Sequence, residues 1–317
     1  MNLLLSRPLT APVMDEARAA FDTTVRASTR PMTEAEMVAA LTDFDIVIPT
    51  LGDRFQAPVF AQVPRPRCRL LANFGVGYNH IDAGAAQAAG IAVTNTPGAV
   101  TDATADIALM LMLMSCRRAA EGERLVRSGR WEGWHPTQML GLHLTGKTLG
   151  VVGMGRIGQA IARRAHYGFG MRIVYHSRSA RDLGELPAQA LPGLLAVMAA
   201  ADVVVVAVPG GAATRRLIGA AELAAMAPHA HLVNIARGDV IDEAALIAAL
   251  RAGRIGGAGL DVYEHEPDVP EGLRALDNVT LLPHLGTNTA EVRTAMGRMA
   301  LANAIALRDG RPLPNPV

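Results

Sequence analysis

Three phrases in the last third of the chain carry the side chains best suited to chemistry: Asn234-Ile235-Ala236-Arg237-Gly238, Gly259-Leu260-Asp261-Val262-Tyr263-Glu264-His265-Glu266-Pro267 and Leu282-Pro283-His284-Leu285-Gly286. Each follows a strand-like run, and in an open α/β sheet the groups just beyond the carboxyl ends of strands line the ligand crevice. Their convergence would place a cation, an acid and an imidazole together. A guanidinium stabilises negative charge developing on an oxygen, and an imidazole gives or takes a proton. A carboxylate beside that imidazole favours its charged form. Taken singly, each residue also has a plainer reading: Arg237 as a surface cation, Glu266 as a loop acid before proline, His284 as a core histidine.

A second constellation lies upstream. Gly153-Met154-Gly155-Arg156-Ile157-Gly158 directly follows the strand-like Thr148–Val152 and opens a helix running to about His166. Strand before and helix after make this a dinucleotide site rather than a chance glycine run. The first glycine permits the tight turn, the second lets backbone approach a pyrophosphate and the third packs helix on strand, which leaves amides near Arg156 and Ile157 aimed at phosphate. The next strand ends Tyr175-His176-Ser177-Arg178-Ser179, with no acid before Asp182. An acid there would bond a ribose 2′-hydroxyl. Its absence, with Ser177 and Arg178 in place, suits a 2′-phosphate and predicts NADP(H) over NAD(H), with NADH still usable. The competing reading leaves Arg178 as a solvated loop cation.

The elements that must position these groups follow a βα alternation, the signature of parallel sheets. Strands are expected at Asn2–Ser6, Ile46–Thr50, Arg69–Gly75 and Ala92–Thr96, then at Thr148–Val152, Arg172–Tyr175, Asp202–Val208, His231–Ile235 and Ile255–Val262. Thr33 and Glu36 read as a capping box, and Asp242–Gly253 as a helix with an N-cap acid and a glycine stop. Thr101–Arg118 reads as a long helix capped by Asp102 and apolar nearly all round, hence buried between layers. Asn288–Arg308 is amphipathic, and Pro312, Pro314 and Pro316 keep the last residues extended.

Composition narrows the function classes. With 317 residues, half of them apolar, the chain is long enough for about two globular domains. A net charge of +1 supplies no field for nucleic acid or an anionic membrane. No apolar run reaches the ~20 residues of a membrane span, and no secretory leader is recognisable. Cys68 and Cys116 are too few and too far apart in sequence for a disulfide framework or a thiolate metal site, which fits a cytoplasmic setting.

The order of glycine fingerprint, Arg237-Gly238, acid before proline and Pro283-His284-Leu285-Gly286 resembles the D-isomer-specific 2-hydroxyacid dehydrogenases over essentially the whole chain. Trp131-Glu132-Gly133-Trp134-His135-Pro136, Gly146-Lys147-Thr148-Leu149-Gly150 and Asn95-Thr96-Pro97-Gly98 look most like the glyoxylate and hydroxypyruvate reductases within it. The resemblance implies a Rossmann-type doubly wound cofactor domain, 99–284, inserted into a flavodoxin-like substrate domain, 1–98 with 285–317, closing over its substrate. It implies that Arg237 grips the substrate carboxylate and keto oxygen, that His284 is the acid/base and that Glu266 pairs with it, without a metal. Leu51, Val76, Gly77 and Trp134 would border the substrate, Val76 and Gly77 through backbone amides. Thr104, Pro209, Thr214, Ile235, Ala236, Asp261 and Gly286 would lie near the cofactor, Asp261 with a loop-holding role as an alternative. Asp106 stands where the family more often has glutamate. The tryptophan loop implies a homodimer, with Trp134 reaching the partner's site. The implied activity is NADPH-dependent reduction of a small 2-keto acid. A bulkier 2-keto acid and a dinucleotide-sensing binding protein are the alternatives.

Overall fold

Short runs of Leu, Ile and Val become parallel strands in the computed structural model, which describes residues 1–317. The chain divides into two units, Met1–Val100 with Thr287–Val317, and Thr101–Gly286.

In the first unit Asn2–Leu5 (β1), Asp22–Val25 (β2), Ile46–Ile48 (β3), Leu70–Ala72 (β4) and Ala92–Thr94 (β5) form a sheet in the order β2-β1-β3-β4-β5, every pair parallel. This is the flavodoxin-like order, in which the strand sequence reverses between β1 and β3 and opens a crevice beyond their carboxyl ends. The buried Asp53 organises that end. Its Oδ2 accepts from Ser6 Oγ (2.7 Å), Arg7 Nη1 (2.9 Å) and the Thr50 amide (2.9 Å), and its Oδ1 from the Met32 amide (3.0 Å). The helix Glu34–Asp43 starts with the expected Thr33–Glu36 capping box. The last helix, Ala290–Arg308, is seated by Gly297, where a Cβ would come within 2.8 Å of Val13, and by a Thr294–Thr10 hydroxyl contact of 2.9 Å.

In the second unit Thr148–Val152 (β6), Arg172–His176 (β7), Ala188–Ala190 (β8), Val203–Val206 (β9), His231–Asn234 (β10), Gly257–Leu260 (β11) and Val279–Leu281 (β12) run in the order β12-β11-β10-β9-β6-β7-β8, again all parallel. This is the Rossmann order with one added strand, and its reversal lies between β6 and β9. Alternate side chains leave opposite faces of a strand. Val203 and Val205 therefore join one core with Leu149 and Val151, while Val204 and Val206 join another with Leu232 and Leu260. Burying each such valine contributes about 1.5–3 kcal/mol, so the register is strongly fixed. The helix Thr101–Cys116 lies on the first of these faces, where Leu111 sits so close to Gly259 that a Cβ there would be 3.0 Å from it. No helix is long and apolar enough to cross a membrane.

The structure corrects several local expectations. Thr101 is already helical, so Asp102 lies inside the first turn and pairs with Arg164 at 2.9 Å instead of capping. The same helix stops at Cys116, because Arg118 takes a left-handed φ of 53° and begins a new helix, Ala119–Arg127. The last helix begins at Ala290, capped by Thr289, two residues after the expected start at Asn288. The edge strands β2 and β8 were not foreseen.

Candidate active site

The glycine loop sits at the reversal point of the second unit's sheet. Gly153 has φ 98°, and a Cβ there would lie 2.8 Å from the Ala207 carbonyl oxygen. At Gly158 a Cβ would fall 2.2 Å from the Gly153 oxygen and 3.1 Å from Val151, so the third glycine clears the loop's own carbonyl before it clears the strand. Above Gly155 nothing lies within 4 Å. Gly155 caps the helix Arg156–Phe169, and the amides of Arg156 and Ile157 at its start have no acceptor in the chain. The open space over the middle glycine, facing a helix N-terminus, fits a pyrophosphate.

At the end of β7 Ser177 is half-buried and Arg178 exposed. Arg181, which the sequence reading passed over, donates to Ser177 Oγ at 3.2 Å and adds a second cation there. Asp182 turns away and accepts the Gly184 amide at 3.0 Å. Across the sheet, Thr214 donates to the Pro209 carbonyl at 2.7 Å and closes the turn after β9. Thr104 is buried and donates to the Gly286 carbonyl at 3.1 Å. Asp106 pairs with Arg164 at 2.9 Å.

The acid, cation and imidazole come from the three loops after β10, β11 and β12. His284 Nδ1 lies 2.8 Å from Glu266 Oε2. Burial works to raise the Glu266 carboxyl, but the His284 hydrogen bond and charge, the Tyr263 amide and the Arg237 charge outweigh it and hold Glu266 below the ordinary carboxylate value. An ionised Glu266 can only accept, so Nδ1 is the donor and Nε2 is left for a ligand. His284 itself has a left-handed φ of 57°. Asp261 holds it there: the His284 amide donates to the Asp261 carbonyl (3.0 Å), and the Leu285 and Gly286 amides donate to the two Asp261 carboxylate oxygens (2.6 and 2.8 Å). The loop-holding alternative for Asp261 thus matches its contacts. Burial raises its carboxyl, against the pull of those amides and of His284.

Arg237 is placed by backbone and small residues. Asn234 Oδ1 accepts the Ala236 amide (3.0 Å) and its Nδ2 donates to the Arg237 carbonyl (2.9 Å), so one buried side chain shapes the turn Asn234–Arg237 and seats Ile235 and Ala236. Gly210 leaves room for the arginine stem, since a Cβ there would be 2.6 Å from Arg237 Cγ. At Gly238 a Cβ would lie 1.8 Å from the Tyr263 carbonyl carbon, so main chain rests on main chain and the arginine loop is held against the loop of Glu266. The buried Glu243 accepts the Glu264 amide (2.8 Å), and Tyr263 Oη donates to the Leu282 carbonyl (2.9 Å), which fixes the same segment. Burial pushes the Arg237 guanidinium down, against the Glu266 and Asp239 charges, and it remains cationic.

In the first unit, the loop after β4 presents a different kind of site. Asn73 Nδ2 donates to the carbonyls of Gly75 (2.9 Å) and Gly77 (3.0 Å), and Asn95 Nδ2 to that of Val76 (2.9 Å). With those carbonyls drawn inward, the Val76 and Gly77 amides have no acceptor in the chain. Successive amides so turned form an anion-binding concavity. Leu51 is exposed on the turn after β3. Trp134, in the second unit, is 78% exposed.

Residues 109–286 match the model of the D-isomer specific 2-hydroxyacid dehydrogenase, NAD binding domain. A glyoxylate reductase of Pyrococcus furiosus is 45% identical over 296 residues, 92% of this chain and 87% of that protein. The chain belongs to the D-isomer specific 2-hydroxyacid dehydrogenase family. An NADPH-dependent glyoxylate/hydroxypyruvate reductase from Sinorhizobium meliloti, solved with NADP and malonate, superposes with a TM-score of 0.87 at 37% identity, covering 100% of this chain and 96% of that one. A D-mandelate dehydrogenase from Rhodotorula graminis does so at 0.86 and 30% identity, covering 100% and 97%. As a member of this dehydrogenase family the protein is an NAD(P)-dependent oxidoreductase, with a nicotinamide dinucleotide as its cofactor.

Proposed function

We propose that the protein reduces small 2-keto acids, glyoxylate and hydroxypyruvate, with NADPH preferred over NADH. The observation that carries the reading is the 2.8 Å contact between His284 and an ionised Glu266, held beside the Arg237 loop by the Gly238 contact. The glycine loop and the amides of Arg156 and Ile157 would hold the cofactor pyrophosphate, and Ser177, Arg178 and Arg181 the 2′-phosphate. Thr104, Pro209, Thr214, Ile235, Ala236 and Gly286 would border the rest of the cofactor. Bound there, the cofactor supplies the hydride. Arg237 fixes the substrate carboxylate and stabilises charge on the keto oxygen, His284 Nε2 delivers the proton to that oxygen, and Glu266 stabilises the imidazolium before transfer. In the first unit, the Val76 and Gly77 amides are suited to a carboxylate, and Leu51 is offered as a substrate-binding side chain.

A kcat/KM panel of glyoxylate, hydroxypyruvate and pyruvate with both cofactors tests this. A charge-assisted contact is worth about 1.5–3 kcal/mol, so NADPH should lead by about tenfold or more. Equal or better use of NADH would overturn the cofactor assignment, and no turnover of any 2-keto acid the activity itself. We further propose a homodimer, because Trp131 (51% exposed), Trp134 and Leu140 (68%) leave apolar side chains in water on one polar loop. Light scattering should give twice the chain mass, and Trp134→Ala should raise KM if this side chain enters the partner's site. A single-chain mass would refute the dimer.

A further inference from the structure

Arginines in the first unit are paired or solvent-exposed, with one exception. Arg7, Arg18, Arg26, Arg67, Arg298, Arg308 and Arg311 each meet a carboxylate, and Arg30, Arg54, Arg65 and Arg69 are exposed. Arg293 is half-buried without a carboxylate partner. Its Nε donates to the Thr287 carbonyl at 3.1 Å, its Cζ stands 5.8 Å from the centroid of the Phe74 ring, and its two terminal nitrogens find no acceptor in the chain. Withdrawing a cation from water with its donors unmet costs free energy, which a ligand's acceptors would recover.

The position of this cation gives it a direction. Phe74, against whose face it rests, opens the loop Phe74-Gly75-Val76-Gly77 and is tied to the turn of Leu51 by its amide bond to the Pro49 carbonyl (3.0 Å) and its bridge to Thr50. The guanidinium, the free Val76 and Gly77 amides and Leu51 therefore belong to one loop cluster beyond the carboxyl ends of β3 and β4. Two amides serve one carboxylate. A guanidinium with both terminal nitrogens open is matched to a further acceptor oxygen.

We propose that Arg293 reads the far end of the substrate, holding an oxygen carried on the carbon next to the keto group, so that a 3-hydroxy-2-keto acid is favoured over its deoxy counterpart. The inference rests on the 2-keto acid reduction proposed above and names the substrate class for it. Hydroxypyruvate and pyruvate differ by that one oxygen, and glyoxylate lacks the carbon that bears it. The test is kcat/KM for all three with wild type, Arg293→Met and Arg293→Lys. Arg293→Met should lower the hydroxypyruvate-to-pyruvate ratio by about tenfold or more, chiefly through KM, with glyoxylate tracking pyruvate. Arg293→Lys should restore part of the ratio. Each ratio is taken within one preparation, so partial misfolding cancels. A wild type active on 2-keto acids whose ratio survives in Arg293→Met, including a uniform fall on all three, overturns the inference alone and leaves Arg293 as a brace for Phe74. A wild type inactive on all three overturns the reduction and the inference together.

Discussion

His284→Gln should lower kcat for glyoxylate reduction by about 10²–10⁴-fold, the usual contribution of a positioned general acid, while leaving NADPH binding, followed by fluorescence, within about twofold. The variant keeps a polar side chain at the end of the same clamp but has no proton to give. Glu266→Gln should fall between the two. Its pH profile is the sharper readout. Because the Glu266 carboxyl is held below its ordinary value of 4.5, its charge is present above that value and is lost only as pH falls through a lower one. Acid should therefore not silence Glu266 in wild type until below about pH 4.5. In Glu266→Gln there is no carboxylate to protonate, so the acid-side loss of activity that belongs to Glu266 should disappear from the profile. A His284→Gln enzyme retaining a tenth of wild-type kcat would remove His284 as proton donor.

Gly238→Ala should be nearly as damaging without touching a reacting group. The added methyl would stand 1.8 Å from the Tyr263 carbonyl carbon and 2.2 Å from the Glu264 nitrogen, and neither is a flexible tip that can swing aside. Main chain must move, at an overpacking cost of about 1–3 kcal/mol or more. The shift separates the loop of Arg237 from that of Glu266, and a misplacement of about 1 Å at such a site can cost about 10²-fold. A lowered Tm together with a fall in kcat/KM of that size is expected. An unchanged melting curve with full activity would show that the two loops do not depend on this contact.

What was legible in the sequence follows from how locally it is encoded. Val203–Val206 reads as a buried strand because four β-branched residues leave no solvent face, and Gly153, Gly155 and Gly158 read as a phosphate loop because their spacing is itself the geometry. The edge strands Asp22–Val25 and Ala188–Ala190 escaped, since half-exposed polar or small residues carry neither a continuous apolar run nor a clear alternation. Asp102 failed as a cap by two residues, within the uncertainty of any helix boundary. Among the candidate site residues, Arg237, Glu266 and His284 could be named from their own side-chain chemistry, and folding brings the last two within 2.8 Å. The residues that shape main chain for them could not be named in this way. Asn73 and Asn95 turn carbonyls inward, Asn234 bends the arginine turn, Glu243 takes the Glu264 amide, and Arg181 reaches back to Ser177. Each of these depends on which backbone group folding brings within 3 Å, which no spacing rule reports.

The left-handed backbone of His284 sets stability against turnover. An L-residue with a bulky side chain loses roughly 1–2 kcal/mol in that region, and glycine or asparagine loses much less. Asp261 supplies the bonds that keep the ring aimed in spite of this. Selection for heat resistance alone would thus favour glycine or asparagine at position 284, giving hardier molecules that no longer turn over. With the proton transfer proposed for His284, any campaign to stabilise the protein has to screen for reaction as well as for melting temperature.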